Sequence, residues 1–262
     1  MKLLILAAGT GSRLYPLTRN TPKSLLDLGD GVSLLERQIE AAIKSEYIEE
    51  VCIVTGYKAG QIDEKIKEYS ASIPISTIFN PFFDVSNNLV SIWCARSLFL
   101  ENDVLITNGD NLYKEVVFPE VRKQEEGIYL TISRKNEYDD DDMKVILTPN
   151  MTVSHVSKDV PLADVSAESV GLVGVYGDRY RKVFISNVTE MMKDKANLKV
   201  YWLRAFNELV ANGIEVNTVE IGSDEWSEMD FHPDINSIRE EVIQKLNRDL
   251  DIDSMGRTNN GG

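Results

Sequence analysis

Between Leu6 and Leu25 the chain reads LAAGTGSRLYPLTRNTPKSL, so that Gly9 and Gly11 are followed closely by three cations, Arg13, Arg19 and Lys23. Backbone N–H groups in a glycine-bearing bend, with cations beside them, are what a polyphosphate needs. Glycines at 9 and 11 remove Cβ atoms, so the main chain can approach base and phosphates and adopt φ > 0 at little cost. Arg13 offers a planar fork for two phosphate oxygens, whereas Lys23 is a compact charge suited to an α-phosphate whose charge redistributes. Pro22 fixes φ next to that lysine. These residues imply a bound nucleotide.

The elements that must position them are legible as apolar runs. Strand-like segments at 2–7, 51–54, 73–79 and 103–107 alternate with amphipathic segments at 33–46, 59–70 and 87–100. Continuous apolar strands alternating with helices are the pattern of a parallel sheet covered on both faces. After Asp110 come further strand-like runs at 128–134, 143–148, 151–156 and 169–176, expected to be antiparallel, then helical patterns at 179–194, 199–212 and 233–249 and one more strand at 214–221. The expected fold class is α/β, a three-layer α/β/α Rossmann-like arrangement with a mixed, mostly parallel sheet and a small antiparallel substrate-side extension. Residues 1–250 are expected to form one domain and 251–262 a flexible tail.

Composition narrows the ligand. Twenty-eight basic against forty-two acidic residues give a net charge of −14. With no dense basic stripe, nucleic acid and anionic membranes are disfavoured, and the phosphate partner is expected to be small. Cys52 and Cys94 have neither CxxC spacing nor neighbouring histidines, so they read as buried reduced thiols. No stretch approaches the roughly 18 apolar residues of a membrane helix, and the expected location is the cytoplasm.

Three phosphate loops compete for residues 9–24. The dinucleotide fingerprint fails because Leu14 stands where the third glycine must allow close helix packing. A P-loop needs Gly-Lys-Ser/Thr, whereas Lys23-Ser24 follows proline. The third fits: Leu6-Ala7-Ala8-Gly9-Thr10-Gly11-Ser12-Arg13, then Pro16-Leu17-Thr18, then Pro22-Lys23 resembles the signature of the sugar-nucleotide and choline-phosphate nucleotidyltransferase superfamily, which joins an NTP to a phosphorylated small molecule.

The resemblance implies roles for these positions. Leu6 to Arg13 and Lys23 would hold the nucleotide, with Arg13 and Lys23 acting in catalysis. Thr107-Asn108-Gly109-Asp110 follows an apolar strand, at the edge where open α/β sheets bind ligands, and in the family the matching Gly-Asp carries a Mg²⁺ ligand. Trp226-Ser227-Glu228-Met229-Asp230 resembles a Trp-x-Glu-Ile-Asp segment of the choline-phosphate branch. Hard oxygens from Asp110 and Asp230 suit Mg²⁺, which takes few protein carboxylates and several waters or phosphates.

Gly56-Tyr57-Lys58, and Asn80-Pro81 with Asn87-Asn88-Leu89-Val90-Ser91, resemble the base and ribose segments of bacterial choline-phosphate cytidylyltransferases, which puts Gly56, Tyr57, Asn80, Asn88 and Ser91 at the nucleotide. Met143-Lys144-Val145 and Glu168-Ser169-Val170-Gly171 follow the same branch, with Lys144 expected at the acceptor phosphate. Ser157-Lys158-Asp159 stands where the sugar branch has Glu-Lys-Pro, which removes an expected hexose contact. Glu228, Trp226, Tyr113, Lys144 and Gly171 are the expected acceptor residues. An aromatic wall for a choline-like head is sought among Trp226, Tyr113, Trp93 and Tyr176. The run Asp139–Asp142 reads as a solvated loop, since adjacent like charges repel, with substrate contact the alternative.

The expected reaction is cytidylyl transfer from CTP to a phosphorylated or phosphonylated amino alcohol, aided by Mg²⁺ and releasing pyrophosphate. The alternatives are a hexose-1-phosphate nucleotidyltransferase and a catalytically silent nucleotide-binding regulator. Oligomeric state is not legible.

Overall fold

The computed structural model describes residues 1–122 and 125–229. The helix expected over 233–249, the tail from 251 and Asp230 lie outside these residues. Strands β1 (Lys2–Leu6), β2 (Glu50–Thr55), β3 (Ile75–Phe79) and β4 (Val104–Asn108) are parallel and adjacent, in the spatial order β4-β1-β2-β3. Beyond β4 the sheet continues through β9 (Ala167–Tyr176) to β6 (Gly127–Ser133), and β10 (Asn217–Ile221) closes that edge. β9 runs antiparallel to both β4 and β6, while β10 is parallel to β6. β7 (Lys144–Leu147) and β8 (Val153–Ser157) form an antiparallel pair attached to the start of β9.

Side chains of a strand alternate between faces, and β1 shows the consequence: Leu4 and Leu6 enter one apolar core, Leu3 and Ile5 the other. Helices α1 (Leu34–Lys44), α2 (Ala59–Lys65) and α4 (Val117–Arg122) cover the second face through Leu35, Ile39, Ile62 and Phe118. The first face is covered by α3 (Asn88–Cys94), α5 (Asp178–Met191) and α6 (Arg204–Ala211), contributing Leu89, Phe184 and Phe206. Burial on both faces explains why β1, β2 and β4 are nearly unbroken apolar runs. Among the described residues no helix is long and apolar enough to cross a membrane. Cys52 is buried, Cys94 half-buried, and both are free.

Five segments differ from the sequence expectation. Strands β5 (Asn111–Tyr113) and β11 (Trp226–Glu228) form a separate antiparallel pair. Each is too short to show a period. Helix α4 carries Pro119, tolerated in a first turn but easily taken for a breaker. The segments expected as helices at 59–70 and 87–100 each finish as 3₁₀ turns, at Ile66–Tyr69 and Arg96–Leu100.

Phe184 is fully buried, with ring centroids 5.4 Å from Phe99 and 5.9 Å from Phe206. Phe184→Ala is expected to cost about 3–5 kcal/mol through lost burial and the cavity left behind. A chemical-denaturation midpoint unchanged from that of the parent protein would contradict this packing.

Candidate active site

Parallel pairing puts the carboxyl ends of β1 and β4 level, with Leu6 opposite Asn108. Gly109 N–H donates to Leu6 O at 3.0 Å, and a Cβ on Gly109 would lie 3.0 Å from that oxygen and 3.1 Å from Ala7 Cβ. The turn after β4 therefore presses closely against the loop after β1, and a glycine fits there without displacing it.

That loop is three short 3₁₀ turns, at Ser12–Leu14, Leu17–Arg19 and Lys23–Leu25. Leu14 anchors the first in a small apolar cluster with Leu112, on β5, and Met229, just past β11. Gly11 has φ +63°, and a Cβ there would meet Thr18 Cγ2 at 2.9 Å and Lys23 Cβ at 3.0 Å. The Thr18 hydroxyl donates to Gly11 O at 2.8 Å. Gly9 differs, since a Cβ there would meet no protein atom within 4 Å. The space beside it is open.

Lys23 Nζ donates to Asp110 Oδ2 at 2.7 Å, joining the two strand exits. The backbone of Asp110 is held from the far side, where Met229 N–H donates to its carbonyl at 2.9 Å. Gln38, on α1, donates to Asn108 O at 2.8 Å and Asn111 O at 2.6 Å, bracketing the aspartate. The other carboxylate oxygen, Asp110 Oδ1, is buried without a hydrogen-bond partner among the described residues. A buried carboxylate oxygen left without a partner fits a divalent cation. Glu228 lines the same cavity. Among the described residues no cluster of three metal-ligating side chains exists.

These groups border a cavity of about 980 Å³. Its wall includes Leu6, Ala7, Ala8, Gly9, Gly11, Ser12, Arg13, Lys23, Asn80, Asn88, Ser91, Asp110, Gly171, Trp226 and Glu228, all residues of the sequence expectation. Asn80 Nδ2 donates to Ser91 Oγ at 3.1 Å, and Asn88 Oδ1 accepts from Trp202 N–H at 2.9 Å, so each of these polar groups is held by its neighbour. Gly171 has φ +70° at an irregularity in β9, where a Cβ would strike Asn108 Nδ2 at 2.7 Å.

Five expected residues are not on this wall. Thr10 is half-buried beside it. Gly56 and Tyr57 buttress the loop from behind: Tyr57 N–H donates to Ala8 O at 2.9 Å, and a Cβ on Gly56 would collide with Phe83 and Ala8. Tyr113 is buried in the core, its hydroxyl donating to Val170 O at 2.9 Å. Lys144 is only 2% exposed; its ammonium donates to Asp140 O at 3.2 Å and Lys158 O at 2.9 Å. It does not line this cavity and joins two loops behind its wall. Of the aromatic candidates, Tyr176 is core and Trp93 lies under the Arg96 guanidinium at 4.2 Å. The aromatic wall is Phe83, Tyr201, Trp202 and Trp226.

The aspartate run is not simply solvated. Asp139, Asp141 and Asp142 all line the cavity. Asp141 pairs with Lys158 at 3.2 Å, which lowers its pKa, with smaller help from Arg13 and Lys144. Lys135 Nζ lies 2.7 Å from Asp142 Oδ2 and 3.0 Å from Glu168 Oε2. Burial, with repulsion from Asp142 added, pushes the Glu168 carboxyl up to about 7 against the pull of Lys135. Glu168, Lys135 and Trp202 were missed as site residues because long-range strand pairing and packing bring them in; a charged pair flanking the apolar run 128–134 was the available signal.

Residues 2–140, more than half of the chain, match the family model described as nucleotidyl transferase. The chain is 26% identical over 248 residues to a choline-phosphate cytidylyltransferase of Haemophilus influenzae, covering 94% of this chain and 97% of that protein. It is 24% identical over 259 residues to a CTP:phosphoglutamine cytidylyltransferase of Campylobacter jejuni, covering 90% and 98%. In fold it resembles the inositol-1-phosphate CTP transferase from T. maritima, with a TM-score of 0.76 at 17% identity over 94% of this chain and 96% of that one. The CTP:phosphocholine cytidylyltransferase from Streptococcus pneumoniae gives a TM-score of 0.72 at 22% identity, over 92% and 98%.

Two outcomes follow from the geometry. Gly11→Ala forces a left-handed backbone and a clash against Lys23, so a loss of about 1–3 kcal/mol is expected. Nucleotide affinity, read by titration, should fall with it, and unaltered affinity would show that the bend is not needed. Glu168, whose carboxyl is raised from 4.5 to about 7, contributes stability that is present below pH about 4.5 and lost as pH rises through about 7. Glu168→Gln removes that dependence, so between pH 5 and 8 the melting temperature of the parent should fall relative to the variant by on the order of a few degrees. Parallel melting curves would deny the shift.

Proposed function

The chain belongs to the nucleotidyl transferase family, and from that premise we propose that it transfers CMP from CTP to a small phosphorylated or phosphonylated amino alcohol. The observation that carries the reading is the meeting of Lys23 and Asp110 at 2.7 Å on one wall of a cavity that also holds Arg13 and the open space beside Gly9. Relatives named as cytidylyltransferases, acting on choline phosphate, phosphoglutamine or 2-aminoethylphosphonate, support the choice of CTP and of an acceptor that is not a sugar.

An oxygen of the acceptor phosphate or phosphonate attacks the α-phosphorus of CTP; the new O–P bond forms as the bond to the β-phosphate bridging oxygen breaks, and pyrophosphate leaves with that electron pair. A phosphate monoester is largely dianionic near neutrality, with a second pKa of about 6, so the attacking oxygen needs no strong base. Lys23 follows the charge that develops on the α-phosphate, and Arg13 holds the departing pyrophosphate. Asn80, Asn88 and Ser91 border the cavity and are assigned to base and ribose. Asp110, through its orphaned Oδ1, and Asp230 are the assigned holders of Mg²⁺, which when bound neutralises triphosphate charge. Everything the chain itself supplies is positioning and charge.

A hexose-1-phosphate reading is the second possibility, because glucose-1-phosphate adenylyltransferases are also among the relatives. Pyrophosphate release from four NTPs, each with phosphocholine, 2-aminoethylphosphonate and hexose 1-phosphates, separates the two. CTP with an amine-bearing acceptor is the expected productive pair, and turnover only with hexose 1-phosphates would replace this reading. Lys23→Ala should lower kcat by about two to four decades, roughly 3–5 kcal/mol of transition-state stabilisation. A variant with near-parental kcat would remove Lys23 from the chemistry.

A further inference from the structure

The cavity has two electrically different sides. Arg13 and Lys23 come from the loop after β1, whereas the part built on β6, β7, β9 and their loops carries four carboxylates, Asp139, Asp141, Asp142 and Glu168, against two ammonium groups, Lys135 and Lys158. A triphosphate is repelled by such a surface and a cation is drawn to it.

Within this region the most enclosed group is Glu168, 5% exposed yet bordering the cavity. It shares the single ammonium of Lys135 with Asp142, at 3.0 and 2.7 Å. Two carboxylates on one lysine leave a negative charge without a counterion in a place where water screens poorly, and such an arrangement is costly unless something positive joins it. Burial, with a smaller contribution from Asp142, raises the Glu168 pKa towards neutrality. Glu168 is also rigidly seated. It stands opposite Ser133 on β6 and Lys144 on β7, where three strands meet. Ser133 is fully buried and its hydroxyl has no hydrogen-bond partner among the described residues, so this corner has polar capacity that the protein does not use itself.

The lysines already present show what the wall accepts. Lys135 sits on two carboxylates, and Lys158 sits on Asp141 with its ammonium 5.4 Å from the Tyr201 ring centroid. Carboxylates and an aromatic face are the groups that hold an organic ammonium.

We propose that Glu168, acting with Asp142, is the specificity-determining residue of the acceptor site: this carboxylate pair receives the positively charged amine of the acceptor beside Lys135, while the acceptor's phosphate or phosphonate faces the basic loop. The charge imbalance of the cluster is filled by substrate, and a zwitterion of matching length is bound end to end across the cavity. The inference deepens the proposed reaction and rests on it only for the phosphate end of the acceptor.

Direct binding to the CTP-loaded protein tests it without requiring turnover. Phosphocholine is compared with 3,3-dimethylbutyl phosphate, its uncharged carbon isostere, and 2-aminoethylphosphonate with n-propylphosphonate. The parent should bind the cationic member of at least one pair tenfold or more tighter, about 1.4 kcal/mol. In Glu168→Gln that ratio should collapse to within twofold, with affinity for CTP alone unchanged. Asp142→Asn should reduce the ratio in the same sense and serves if the first variant does not fold. No preference for either cation in the parent, or a preference kept in both variants, overturns the assignment. A preference that is present and lost as described, but with no pyrophosphate released from any acceptor, refutes the proposed reaction and leaves the amine-selecting role of Glu168 standing.

Discussion

The hydrogen-bonded ion pair between Lys23 and Asp110 is the contact around which the rest is arranged, because it joins the exits of two strands whose chain positions are far apart. Several independent features exist to make it possible. Parallel register puts Leu6 and Asn108 level. Gly109 lets the two exits touch, Gly11 lets the first loop fold back onto Lys23, and Gln38 holds the second turn by both flanking carbonyls. The pair itself adds little to stability, since two partly desolvated charges recover in attraction roughly what they lose in hydration. So much supporting structure around a contact of small net stability makes sense where the charges must be presented to a ligand. Asp110 Oδ1, buried and unpartnered, is the residue of that compromise.

The cavity also separates opposite charges, and this division explains why the reaction can dispense with a nucleophilic side chain. His155 is the only histidine among the described residues; it lies on β8 and does not line the cavity. In the proposed reaction the basic side manages phosphate charge and the acidic side the remainder of the acceptor. Catalysis by placement needs stiff walls, and here each wall is stiff for a different reason. The glycine loop is held by Leu14 in its own apolar cluster and by the Thr18 hydroxyl. The acidic side is held by strand pairing at Glu168 and by Trp202, whose indole N–H donates to Asn108 Oδ1 at 3.1 Å and so ties the two sides together.

What was legible in the sequence divides along the same line. The loop from Leu6 to Lys23 is contiguous, so its glycines, cations and prolines could be read together, and Asp110 followed from the apolar strand before it. The central parallel strands were legible because burial on both faces makes them unbroken apolar runs. Glu168 and Lys135 could not be paired from sequence, since only the β6–β9 ladder and the loop after β6 bring them within 3.0 Å. Tyr113 and Tyr176 have the chemistry of a cation-binding wall but face the core, which side-chain type alone does not reveal. Tyr201 and Trp202, which do reach the cavity, fall in the run 199–212 expected as helix, but α6 begins only at Arg204 and leaves both in the irregular segment before it. The aspartate run is the solvated loop its charges suggest at Asp139, Asp140 and Asp141, which are exposed; what the sequence does not show is that Lys158 and Lys135 pair with Asp141 and Asp142 at the cavity's edge.

Lys144, assigned to the acceptor phosphate on the family resemblance, takes a position in the fold that the sequence does not reveal. A lysine beside Met143 and Val145 on a strand looks free to meet a phosphate. In the fold it is nearly sealed, and its ammonium spends its donors on the carbonyls of Asp140 and Lys158. A buried ammonium is tolerated only when its hydrogen bonds are made, so the two loops that supply those carbonyls cannot drift apart without exposing or stranding the charge. Those loops are the ones that carry Asp139, Asp141 and Asp142 on one side and Lys158 on the other. Lys144 therefore shapes the wall from behind, holding together the loops that carry the opposite charges.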